Sequence, residues 1–231
     1  MPQGSEGNIS FDREVKELID IMNDSGVTVR DGAVGRLTGL AGLITRWNQA
    51  MNLISRKDTE RLVSYHFADS MSLLPIISPQ RRIRVLDIGG SNGLPGLVMS
   101  AVCPDIEVLI CDSQKKRAGF LEEACAAVGP GNEFEIGRVD DREFLRRNTE
   151  SFDLVVARAV TGLAALLKWC LPVLKPGGTL AAFKGSRCGE EVAAARKYFF
   201  SNGGCLLGVI GSPLKERYNP LRKFAIALKG S

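Results

Sequence analysis

Phe11, Val15, Leu18, Ile19 and Met22 recur at steps of three and four, which draws one apolar stripe along a helix. Gly26 follows as a stop. A second stripe runs through Val34, Leu37, Leu40, Ile44, Trp47 and Met51, although Gly35, Gly39 and Gly42 weaken its helix preference. Asp58 or Thr59 caps a third predicted helix with Leu62, Val63, Phe67, Met71 and Leu74, ending at Pro75.

After Pro79 the period changes. Short runs rich in β-branched and aliphatic residues appear at 83–88, 106–111, 133–138, 154–157, 179–183, 206–210 and 224–228. Helical stretches at 95–103, 114–128, 141–148, 162–174 and 189–201 separate most of them. Apolar strands alternating with helices predict βαβ units and a parallel sheet covered on both faces. The last two runs are joined only through Gly211, Ser212 and Pro213, which predicts an antiparallel pair at the end. The expected organisation is a helical extension over residues 1–80 and a Rossmann-like α/β domain over 81–231.

Composition narrows the class. The chain has 231 residues, 45% hydrophobic and 24% charged, as in globular domains that bury their own core. Its six cysteines contain no C-x-x-C pair, so they read as small core residues in a reducing, cytoplasmic setting rather than as a metal or redox site. The start is polar and lacks the pattern of a signal peptide, and no apolar run reaches the length of a membrane span. The single histidine excludes any site that needs two.

Candidate chemistry begins at the end of the first strand, in Asp87-Ile88-Gly89-Gly90-Ser91-Asn92-Gly93-Leu94-Pro95-Gly96. Glycines here let the backbone turn and approach a ligand, and free N–H groups at the next helix start would favour negative or polar ligand atoms. Asp112 ends the second strand 23 residues beyond Gly89, where nucleoside sites place the acid that accepts ribose hydroxyls. Loop and acid together imply an adenosine-bearing cofactor. A nicotinamide oxidoreductase shares both features, but Gly89-x-Ser91-x-x-Leu94 departs from G-x-G-x-x-G at two of three positions. The acid Asp87, the Leu171–Gly178 segment and a seven-strand sheet with an antiparallel end resemble class I methyltransferases.

Over about residues 40–229 the chain resembles the RsmG (GidB) family of small-subunit ribosomal RNA guanine-N7 methyltransferases. The likeness rests on Trp47-Asn48 with Asn52-Leu53, His66-Phe67 with Asp69-Ser70, the Asp87–Gly96 loop, and Asp112-Ser113 followed by Lys116-Arg117 and Phe120-Leu121. Gly137-Arg138-Val139-Asp140, Phe152-Asp153 with Arg158-Ala159, and Lys184-Gly185 complete it. The resemblance implies a class I S-adenosylmethionine-dependent methyltransferase fold and N7-methylation of a specific guanine in 16S ribosomal RNA, naked or in the 30S subunit. It implies that Gly89 and Leu94 contact the methionine and adenosine parts of S-adenosylmethionine, that Asp112 holds the ribose, that Val139 and Asp140 flank the adenine, and that Arg158 lies beside cofactor and target. Ser91 stands where a second glycine is usual, and Asp140 where glutamate is common.

Guanine N7 has a lone pair and no proton, so attack on a sulfonium methyl needs alignment rather than a general base. The catalytic candidates are Arg158, Lys184 and His66. His66 reads either as an RNA contact or as a packing residue; Lys184, at the end of the fifth strand, reads either as a phosphate partner or as a solvated lysine. Asn48 and Asn52 read as turn caps, and Trp47 and Trp169 as helix-core residues. Residues 1–80 carry 8 basic and 10 acidic side chains, and residues 81–231 carry 22 and 16, so a mild net +4 hides a basic second part. Lys215, Arg217, Arg222, Lys223 and Lys229, with Arg187, Arg196 and Lys197, are candidates for an RNA-phosphate rim. A monomer without metal or membrane partner is expected. A catalytically silent ribosome-assembly factor remains the alternative to an enzyme.

Overall fold

A computed structural model describes residues 5–214 and 218–230. Two helices open the chain, α1 (Ser5–Asp24) and α2 (Ala33–Met51). Gly26 and Gly32 adopt φ of +75° and +74°, so the turn between the helices uses conformations open to glycine. Leu37, Leu40 and Ile44 of the second stripe are fully buried, which offsets the helix penalty of the intervening glycines.

The third predicted helix is broken. Short α3 (Arg56–Thr59) is followed by a π-helical turn (Leu62–Phe67), α4 (Ala68–Met71) and α5 (Leu74–Ile77). Ser55, rather than Asp58 or Thr59, precedes the first of these, and its hydroxyl donates to the Asp58 carboxylate at 2.7 Å. Pro75 lies in the first turn of α5 instead of ending a helix, where its missing N–H is harmless.

The sheet contains β1 (Ile83–Ile88), β2 (Ile106–Asp112), β3 (Asn132–Ile136), β4 (Phe152–Arg158), β5 (Leu174–Lys184), β6 (Gly204–Gly211) and β7 (Lys223–Lys229). Their order is β3-β2-β1-β4-β5-β7-β6; β1 to β5 pair in parallel, and β7 lies between β5 and β6, antiparallel to both. Strand order reverses between β1 and β4, which opens a crevice at their C-terminal ends. The predicted fifth strand is longer than its apolar run. It includes the Lys175–Gly178 turn, with Gly177 at φ +73° and a register shift opposite Phe152 to Leu154.

Alternation along the strands builds two cores. Val85, Val108, Ile110, Leu154, Val156 and Phe183 face one way, toward the N-terminal helices, α6 (Gly96–Val102) and α7 (Ala118–Val128). Leu86, Ile88, Leu109, Val155, Leu180 and Ala182 face the other, toward α8 (Arg142–Arg147), α9 (Leu163–Val173) and α10 (Cys188–Ser201). The N-terminal helices therefore share a core with the sheet. Five cysteines are buried as expected, whereas Cys205 on the β6 edge is exposed. None of the described helices is long and apolar enough to cross a membrane.

Candidate active site at the strand ends

Asp87, the last acid before the glycine loop, is completely buried. One carboxylate oxygen accepts from the Gly96 backbone N–H at 2.7 Å, and the other has no hydrogen-bond partner. The start of α6 is thus already satisfied by Asp87 and, at Leu97 N–H, by the Gly93 carbonyl at 3.0 Å, rather than left open for a ligand. Burial pushes the Asp87 carboxyl up to about 7, against the opposing pull of the Gly96 bond and the Arg158 charge. A Cβ on Gly90 would stand 2.5 Å from the Asp87 carboxylate, so only glycine lets the loop wrap this side chain.

Gly89 adopts φ +72°, and a Cβ there would meet Val160 at 2.8 Å. Val160 follows Ala159, a non-glycine residue at φ +57°, in the turn after β4. Gly89 borders two cavities. The smaller, 160 Å³, is lined by Gly89, Asp112, Val139, Asp140, Val160 and Trp169 among others. The larger, 490 Å³, joins Ser91 and Leu94 of the loop to Asp58, His66 and Asp69 of the extension and to Arg158.

The structure brings Gly89, Asp112, Val139 and Asp140 together around the smaller cavity. Asp112 accepts the Gln114 backbone N–H on one oxygen at 2.8 Å. Asp140 is turned to Arg138, which donates to its two oxygens at 2.9 and 2.8 Å and holds the carboxyl below its usual range. Leu94 and Arg158 border the larger cavity instead. Trp169 on α9 is half-buried and packs against the second core, as expected, and it also lines the smaller cavity. Trp47 does pack as a core residue, edge-on to Phe120 at 6.4 Å between centroids. A carboxylate at the end of β2, a glycine at close approach and the apolar walls Val139 and Trp169 form a donor set that fits an adenosine-bearing cofactor.

Asp69 joins the two ends of the chain. Its side chain is 1% exposed and accepts two bonds from Arg222, at 2.6 and 2.8 Å. Arg158 approaches the same carboxylate at 3.5 Å, and the Asn219 amide donates to it at 3.3 Å. Burial lowers the Arg158 pKa, with Asp69 and Asp87 pulling the other way. His66 borders the same cavity; neither of its ring nitrogens has a hydrogen-bond partner, and Asp58 lies 3.6 Å away. Burial and the Arg158 charge favour the neutral imidazole.

Lys184 is mostly buried and paired rather than a solvated lysine. Its ammonium donates to Glu191 at 2.7 Å and to the Thr161 carbonyl at 2.9 Å, beside a third cavity of 580 Å³ that it shares with Arg158, Arg187 and Arg222. Arg222, read as a rim residue, is committed to Asp69, and Lys229 pairs with Glu150 at 3.0 Å. Lys215 and Arg217 lie outside the described residues. Asn48 caps as expected, accepting the Ile54 N–H at 2.9 Å, while Asn52 closes α2 in the left-handed region. A hollow of 770 Å³ between α7 and β3 shares no residue with these cavities.

Asp58 and Asp69 were not readable as site residues, and Arg222 was read as a rim residue rather than as a partner of Asp69. Asp69 and Arg222 are 153 positions apart, and only the fold makes them neighbours. The Asp69-Ser70 pair in the family likeness was the one available signal.

Known proteins share this fold and much of this sequence. A predicted O-methyltransferase from Agrobacterium tumefaciens superposes with a TM-score of 0.57 at 22% identity, covering 71% of this chain and 81% of its own. The Methanococcus jannaschii fibrillarin pre-rRNA processing protein superposes with a TM-score of 0.51 at 16% identity, covering 65% and 68%. These likenesses place the sheet in the class I methyltransferase fold. The ribosomal RNA small subunit methyltransferase G of Moorella thermoacetica is 35% identical over 189 residues, covering 81% of this chain and 79% of that protein. Its namesake from Acetivibrio thermocellus is 31% identical over 215 residues, covering 90% and 88%. The family model for rRNA small subunit methyltransferase G matches residues 34–217, and the chain belongs to this GidB family.

Proposed function

We propose that the protein transfers a methyl group from S-adenosylmethionine to N7 of a specific guanine in 16S ribosomal RNA, naked or in the 30S subunit. The observation that carries this reading is the position of Gly89, which borders a small cavity beside Asp112 and a larger cleft at once. In this reading residues 81–231 bind the cofactor and residues 1–80 wall the acceptor cleft.

S-adenosylmethionine supplies an electrophilic methyl on a sulfonium. Asp112 would accept ribose hydroxyls, Val139, Asp140 and Trp169 would enclose the adenine, and Gly89 and Leu94 would contact the methionine and adenosine parts. Because N7 carries no proton, the side chains position and desolvate rather than abstract, and such alignment is worth roughly 7–11 kcal/mol. Arg158 offers donors to acceptor oxygens of the RNA. A guanidinium would oppose the cationic product base; the Asp69 carboxylate at 3.5 Å, shared with Arg222, offsets that charge only in part. Lys184 and Glu191 brace the turn after β4 through the Thr161 carbonyl and the Leu163 N–H.

Calorimetric titration tests the cofactor assignment. S-adenosylmethionine should bind and NAD should not; binding of NAD alone would end the methyltransferase reading of this site. Transfer to ribosomal RNA with an intact cofactor site would in turn exclude a silent assembly factor.

A further inference from the structure

We propose that Asp58 reads the Watson–Crick edge of the target guanine and makes the cleft specific for that base. The inference rests on guanine N7 as the methyl acceptor and adds the residue that selects the base. The 490 Å³ cleft has two unlike walls: the glycine loop, with Gly89, Ser91 and Leu94, and the extension, with Asp58 and His66. N7 and O6 lie on one edge of guanine, and the N1–H and N2–H donors lie away from N7. A guanine that turns N7 toward the glycine loop presents those donors to the extension wall.

Two parallel N–H donors are matched best by a carboxylate. Among the described residues, Asp58 and Asp69 are the carboxylates that line the cleft. Asp69 is 1% exposed and already takes both Arg222 bonds, Arg158 and Asn219. Asp58 remains 24% exposed, with one hydrogen bond to each oxygen, from Arg61 at 2.9 Å and from Ser55 at 2.7 Å. A carboxylate has about four acceptor sites, so each oxygen keeps capacity for one more donor. The hydrogen bonds from Ser55 and Arg61 fix its orientation and favour the ionised form. Adenine would set its N1 lone pair against this carboxylate and be rejected. Flipped bases are commonly read through this edge.

The test uses the full-length protein and small-subunit ribosomal RNA carrying either guanine or inosine at the mapped target; inosine keeps N7, O6 and N1–H but lacks the N2 amine. Wild-type protein should prefer guanine by at least about tenfold in kcat/KM, the usual worth of a hydrogen bond to a charged group. D58N should lose at least about tenfold on guanine while its guanine-to-inosine ratio falls toward one, with S-adenosylmethionine affinity unchanged. D58E should recover part of the ratio. Wild-type transfer to N7 with the full ratio retained in D58N overturns this inference alone; no transfer to guanine N7 by the wild type overturns the functional reading and this inference with it.

Discussion

Arg222 grips Asp69 through two parallel bonds, Nε to one oxygen at 2.6 Å and Nη2 to the other at 2.8 Å, across 153 positions of sequence. The pair ties the loop between β6 and β7 to the extension, and Arg158 rests on the same carboxylate. Removing one member of a buried ion pair leaves charge without compensation. Asp69→Ala should therefore destabilise the protein by about 3–5 kcal/mol. Urea unfolding checks this; a midpoint close to that of the wild type would show that the clasp does not hold these segments.

Asp87 sets a pH dependence. Its folded value of about 7 exceeds the ordinary 3.8, so the folded protein keeps this proton while the unfolded chain releases it. Stability attached to this group is full below pH 3.8 and is lost as pH rises to about 7. Asp87→Asn keeps an oxygen for the Gly96 N–H and removes the charge. It should be more stable than the wild type at pH 8, by on the order of 4 kcal/mol, with the gap closing near pH 4. Paired denaturant curves across that range measure it, and a constant gap would rule out the shift.

Gly89→Ala places a Cβ 2.8 Å from Val160 at φ +72°, in the turn between the two cavities. Val160 is 39% exposed and can move outward, so the fold should survive. Affinity for S-adenosylmethionine should fall more than about tenfold, as a misplaced backbone loses its close contacts. Calorimetry showing wild-type affinity would remove the loop from the cofactor site.

Arg158→Ala separates chemistry from stability. Asp69 keeps its two bonds to Arg222, so the melting profile should stay close to that of the wild type. Methyl transfer should drop by about 100-fold or more, the scale seen when a positioned donor is lost. Unchanged turnover would place Arg158 outside the site.

Local signals made the strand-end loop and its acids legible. Asp87, Gly89 and Asp112 follow from a strand–loop–helix pattern whose spacing is short, and the alternation of Val85, Leu86 and Ile88 reports which face of β1 each residue takes. The clasp around Asp69 and the partner of Lys184 were hidden because they depend on distant pairings. Nothing near Arg222 in sequence shows that it is spent on Asp69, and Lys184 gives no sign of Glu191 as its partner at the far side of a turn. Periodicity also cannot separate an α-helix from the wider π-helical turn at Leu62–Phe67, where the His66 N–H reaches the Arg61 carbonyl at 3.4 Å. Trp169 reads as core because α9 is apolar almost throughout, and it does pack there; that it also lines a cavity with Val139 depends on the fold.

The central claim is tested most directly by incubating the purified protein with S-adenosylmethionine and small-subunit ribosomal RNA or assembled subunits from a strain lacking it, then mapping modified guanines by mass spectrometry. The account predicts N7-methylguanine appearing at a single position, and at that position only when both protein and cofactor are present. Methylation at another atom or base, or ribosomal RNA from the deletion strain that already carries its full N7-methylguanine, would contradict it.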